Sequence, residues 1–114
     1  MAKAPKAQTP DIPVPDIVDN TTGHRFEITL GSDTAYAEYQ LVQGGIILPH
    51  TVVPEAFEGK GVASRLARYA MQYARDRSLK IIPLCPFMAG YMAKHPETHD
   101  LVHPTYRARI GLLA

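Results

Sequence analysis

The hydrophobic period of this chain changes from two to about 3.6 at Gly59-Lys60-Gly61, and that change limits the fold more than any other feature. Upstream, apolar residues recur every second position, the spacing of half-buried strands. Arg25-Phe26-Glu27-Ile28-Thr29-Leu30 alternates, Gly31-Ser32-Asp33 has turn chemistry, and Thr34 to Val42 alternates again. Those segments read as an antiparallel hairpin. Gln43-Gly44-Gly45 turns the chain into a third strand over residues 46–53, where Pro49 removes a ladder donor and predicts an interruption. Downstream of the glycines, Val62, Leu66, Tyr69, Ala70 and Tyr73 share one stripe at helical spacing, which predicts a helix from Lys60 to about Arg77. The apolar run Lys80 to Pro86 then reads as a central strand, and strand–turn–helix–strand order suggests a parallel crossover. Phe87 to Lys94 predicts a short second helix ending before Pro96, and Leu101 to Ala114 reads as a loose strand or tail. The fold class is therefore α+β: a mixed, mainly antiparallel sheet with one main helix and a short second one.

Residues 1–22 carry Pro5, Pro10, Pro13 and Pro15 and read as a flexible tail, with Ile12, Val14, Ile17 and Val18 as the residues that would dock if it folds back. The folded domain is expected over residues 23–114, ~90 residues with one modest core. A net charge of +1 argues against a nucleic-acid partner held by bulk charge. The single cysteine, Cys85, excludes a disulfide framework and fits reducing surroundings. No apolar run is long enough to span a membrane, and no apolar stretch follows Met1-Ala2-Lys3 as a secretory signal would require, so a cytoplasmic setting is expected.

A glycine turn running into a helix exposes N–H groups without intrahelical acceptors at the positive end of the helix dipole, which suits phosphate. Gly59-Lys60-Gly61 lacks the Lys-Ser/Thr ending of a Walker A loop and is too short for a dinucleotide fingerprint. By itself it is equally a turn with two permissive residues.

The stretch Glu58-Gly59-Lys60-Gly61-Val62-Ala63 resembles motif A of the Gcn5-related N-acetyltransferases (GNAT), Gln/Arg-x-x-Gly-x-Gly/Ala, with Glu58 departing at the first position. The resemblance covers residues 24–103 and is closest to a subfamily of minimal GNAT-like proteins. Matching blocks are His50-Thr51-Val52-Val53, Gly59-Lys60-Gly61, Ile82-Pro83-Leu84-Cys85-Pro86-Phe87 and Tyr91. It implies acetyl-CoA as acyl donor, an unidentified amine as acceptor, and N-acyl transfer as the activity. A non-catalytic acyl-CoA-binding module is the alternative. It further implies that Thr51, Val52 and Val53 meet pantetheine, and that Glu58, Gly59, Lys60, Gly61, Val62, Ala63 and Ser64 form the pyrophosphate loop. Arg65 and Arg68, early on the polar face of the predicted helix, either meet the 3′-phosphate or face solvent.

For the sulfur end three residues stand out. Cys85 is either an acyl-accepting thiol or a small buried hydrophobe. Tyr91 resembles the tyrosine that protonates the leaving thiolate. His50 is a candidate base or a structural residue at a strand end. His95, His99 and His103 recur every fourth residue, but Pro96 and Pro104 interrupt the spacing, and no metal is expected. GNAT domains place two helices between the first two strands as a wall of the acceptor site. Here Gly31-Ser32-Asp33 joins the first two predicted strands, which predicts an open acceptor side and is compatible with a homodimer.

Overall fold

The computed structural model describes residues 15–112. Its strands are β1 (Val18–Asn20), β2 (Arg25–Leu30), β3 (Asp33–Glu38), β4 (Gln40–Val42), β5 (Gly45–Ile47), β6 (Thr51–Val52) and β7 (Lys80–Ile82). The helices are α1 (Val62–Asp76) and α2 (Pro86–Lys94), with 3-10 turns at Glu55–Phe57, Pro96–Leu101 and Pro104–Ile110. The strands form two sheets, in the orders β1-β2-β3-β6 and β4-β5-β7. All pairs are antiparallel except β5 with β7, the parallel pair that the α1 crossover connects.

The division into two sheets corrects the expectation of one strand from Thr34 to Val42. Ala37 pairs with Thr51 and Gln40 with Ile47, so three steps along one strand face four along the other. The extra residue falls in Leu48-Pro49-His50, which forms a β-bulge. Pro49 cannot donate to a ladder, and the strand breaks there as expected.

Two further expectations change. Strand β7 lies at the end of its sheet order rather than in the middle, although Ile81 is fully buried. Its free side is covered by the C-terminal segment, which is not a loose tail. Ile81 bridges Val102, the His103 N–H donates to the Ile81 carbonyl at 2.8 Å, and the Arg109 guanidinium donates to the carbonyls of Pro83 and Leu84. At the other end, β1 at Val18–Asn20 pairs with β2, so structure begins before residue 23. The rest of the expected tail, Ile12 and Val14 included, lies outside the described residues.

One core joins the sheets to α1. The predicted stripe Val62, Leu66, Ala70 and Tyr73 is buried, with Ala67, Met71 and Ala74 beside it. Across from it stand Phe26, Ile28, Ala35 and Ala37, the inward residues of β2 and β3. Phe26 stacks on Tyr39 at 4.4 Å between ring centroids and meets Tyr69 and Tyr73 at 5.0 Å each. The Tyr39 hydroxyl donates to Asp19 at 2.7 Å, tying β1 to the junction of β3 and β4.

Burial, and then that hydrogen bond, hold the Tyr39 phenol well above its ordinary pKa. The stability this contributes is complete below the unfolded value of about 10 and falls as pH rises beyond it, where the unfolded chain alone loses the proton. Urea melts are expected to show Phe26→Ala losing about 3–5 kcal/mol. Tyr39→Phe is expected to lose about 0.5–1.5 kcal/mol at neutral pH and to flatten the decline in alkali.

Candidate functional site

The site is built where the two sheets part. The Leu48 N–H donates to the Ile82 carbonyl at 3.0 Å, and the Leu48 carbonyl accepts from the Cys85 N–H at 2.8 Å. Two residues on, the His50 carbonyl turns the other way and accepts from the Glu38 N–H at 2.8 Å. Beyond Leu48 the chain therefore leaves β7 and joins β3, so β6 and β7 lie in different sheets and diverge from this point. Within its sheet β6 has a partner on one side only. Val52 and the following Val53 are 40% and 36% exposed, unusual for valines of a sheet.

The loop that returns from β6 delivers the helix start. A 3-10 turn at Glu55–Phe57 is pinned by Phe57, which is 1% exposed, and the Lys60 N–H closes onto the Phe57 carbonyl at 3.1 Å. Gly59 and Gly61 then adopt φ values of 77° and 68°. Only glycine takes this left-handed conformation without strain. No side chain caps α1, and the first bond into the helix is Arg65 N–H to Gly61 carbonyl at 3.1 Å. The N–H groups of Val62, Ala63 and Ser64 precede that bond, so no helical carbonyl is available to them. No acidic side chain lies in the first turn to offset the dipole. The side chains of Lys60, Arg65 and Arg68 make no hydrogen bond or ion pair among the described residues.

Of the residues expected at the sulfur end, Cys85 and Thr51 come together. Cys85 is the N-cap of α2, is 4% exposed, and its thiol donates to Thr51 Oγ1 at 3.4 Å. His50 is exposed, and its backbone carbonyl, not its ring, makes the bond to Glu38. Tyr91 lies six residues past Cys85, about 9 Å along the axis of α2. It faces a cleft of about 190 Å³ shared with Arg68, Met71, Gln72 and Thr98, while its ring stacks on His95 at 3.9 Å. The recurring histidines serve the backbone. His95 donates to the Tyr91 carbonyl at 2.7 Å, His99 Nε2 lies 2.8 Å from the Met92 carbonyl, and His103 accepts from the Thr105 N–H.

A second concavity escaped the sequence reading. A groove of about 490 Å³ opens beside the bulge, between Gly23 and His24 on one wall and Glu38, Tyr39, Gln40, Leu41 and Pro49 on the other. Its signal was a mismatch of lengths. The strand starting at Arg25 pairs no further than Glu38, while its partner continues to Val42.

With the geometry in place, the chain was compared with known proteins. A family model described as GCN5-related N-acetyl-transferase matches residues 25–101, from the start of β2 to the end of the second 3-10 turn. Similar relatives each carry the name Protein NATD1. The one from Danio rerio is 32% identical over 114 residues, covering 96% of this chain and 98% of the relative. That from Bos taurus is 30% identical over 103 residues, 84% of this chain and 91% of the relative. That from Gallus gallus is 33% identical over 72 residues, 62% and 66% respectively.

Replacing Gly61 by alanine puts a Cβ into open space, so its cost is conformational. A loss of about 1–2 kcal/mol with an unchanged fold is expected from denaturant melts and the far-ultraviolet dichroism spectrum.

Proposed function

Because the chain belongs to the GCN5-related N-acetyltransferase family, we propose that it transfers an acetyl group from acetyl-CoA to an amine. The observation that carries this reading is the succession of two backbone surfaces along one short stretch of chain. The free edge of β6 comes first, and the uncapped start of α1 follows after the turn at Glu55–Phe57. Pantetheine carries two amides and pairs with a strand edge as another strand would, at Thr51, Val52 and Val53. The pyrophosphate then meets the N–H groups at Gly61, Val62, Ala63 and Ser64, where dipole and donors add. Glu58 and Gly59 lead into that cradle, and Lys60, Arg65 and Arg68 are the unpaired cations around it. Glu58 removes a favourable side-chain contact that Gln or Arg would make, and leaves the backbone cradle intact.

In this reading the amine nitrogen attacks the thioester carbonyl carbon directly, the carbon–sulfur bond breaks, and the departing thiolate takes a proton from Tyr91. The proton lost by the amine passes to His50 or to water. Direct attack is favoured over an acyl-cysteine because the Cys85 thiol is buried and donates to Thr51, with no cation bonded to it among the described residues. Cys85 then packs where β6 and β7 diverge. Tyr91, stacked on His95 and turned to the α1 cleft, is the feature that favours the second reading, a module that binds acyl-CoA without turnover.

Calorimetric titration with acetyl-CoA, followed by assay of CoA release over a panel of amines and basic peptides, tests both readings. Binding with release is expected, and binding with none leaves only the second. Ser64→Asp is expected to stabilise α1 by about 0.3–1 kcal/mol while weakening acetyl-CoA binding, since the carboxylate occupies the place of the phosphate. Cys85→Ser is expected to keep turnover, and intact-mass measurement is expected to show no acetyl adduct on the parent protein.

A further inference from the structure

The groove beside the bulge has features that CoA binding does not use. Pairing along the strand from Asp33 to Val42 alternates in direction. Glu38 addresses His50, whereas the Tyr39 N–H points the opposite way and donates to the His24 carbonyl at 2.9 Å. By the same alternation, the N–H and carbonyl of Leu41 point to the side of β2. Among the described residues no strand lies there, because the chain turns away at His24, whose φ of 57° marks the turn. Leu41 has no hydrogen bond on that side among the described residues, and its side chain is 51% exposed.

Charge is equally one-sided. Glu27 is engaged by Arg25 at 2.7 Å and Asn20 at 3.0 Å. Glu38 has no side-chain hydrogen bond or ion pair among the described residues: Arg25, its neighbour across the strand pair, is bonded to Glu27 instead, and no described lysine or arginine lines the groove.

We propose that this groove takes an extended polypeptide segment, whose backbone pairs with Leu41 and whose lysine ammonium meets Glu38. The inference rests on the acetyl-transfer reading and names its acceptor as a lysine on a peptide chain. A strand edge with one free donor and one free acceptor is matched by a residue of an added strand, and a small amine has no backbone to offer it. The unpaired carboxylate supplies charge complementarity for the ammonium. Glu38 also holds His50 through its N–H, so the lysine site adjoins in the chain the residue proposed to take the amine proton.

The test uses a short blocked peptide of alternating threonine and valine around one lysine, followed by amide NMR of the full chain without acetyl-CoA. The expected result is saturable binding that shifts the Leu41 amide and slows its exchange. The same peptide with norleucine for lysine is expected to bind about tenfold more weakly. Glu38→Gln is expected to weaken the lysine peptide similarly. Leu41→Pro removes only an edge donor and is expected to abolish binding. Both variants are expected to retain parental affinity for acetyl-CoA. An alkylamine binding as tightly as the peptide, an unmoved Leu41 amide, or unchanged binding by Glu38→Gln overturns the proposal. Leu41 responding to peptide without CoA release retains the groove and removes the transfer reading. CoA release from small amines with Leu41 silent does the reverse.

Discussion

Backbone pairing at Leu48-Pro49-His50 is the constraint from which the rest of the structure follows. Leu48 spends its N–H on Ile82 of β7 and its carbonyl on the Cys85 N–H at the start of α2, Pro49 has no N–H to spend, and the His50 carbonyl goes to β3. Consecutive residues thus belong to different sheets. An unpaired buried backbone group costs as much as a lost hydrogen bond, so the chain cannot drift between the two arrangements. The fork makes β6 an edge, sets Cys85 against Thr51, and opens the groove beside Glu38.

The helix and the aromatic cluster hold the fork open. The buried face of α1 packs on β2 and β3. Phe26, Tyr39, Tyr69 and Tyr73 fill the space behind β2 and the end of β3 with large rings that prefer offset or edge contacts. The Tyr39–Asp19 bond adds β1 to this assembly. Where the family carries two helices between its first two strands, this chain has Thr21-Thr22-Gly23-His24 between β1 and β2, and Gly31-Ser32 between β2 and β3. Among the described residues no helix stands between β1 and β2 or between β2 and β3.

Much of this was legible in the residues because it depends on local rules. The shift of period placed the start of α1 at Lys60, two residues before its start at Val62, and Pro49 marks the break in the third strand. The family was legible from ordered blocks rather than from the glycine turn, and the matched segment contains them all. What escaped was non-local. Whether Gln40-Leu41-Val42 continues the sheet of β3 depends on where β2 begins, and alternation alone is silent on that. The C-terminal segment lacks a period because 3-10 turns impose none over such short runs. Its place against β7 is fixed by Val102, His103 and Arg109 meeting a strand that lies more than fifteen residues earlier. Tyr91 was legible as a helical residue, but its direction depends on the packing of α2 against α1 and His95.

The central claim is that the edge of β6 and the start of α1 hold the two ends of one ligand. Amide hydrogen exchange with and without CoA measures this directly, because it reads both surfaces in one experiment. The account predicts that CoA slows exchange at Val52 or Val53 and at Val62, Ala63 and Ser64 together, with the same concentration dependence. Protection at the helix start alone, or at neither place, contradicts it.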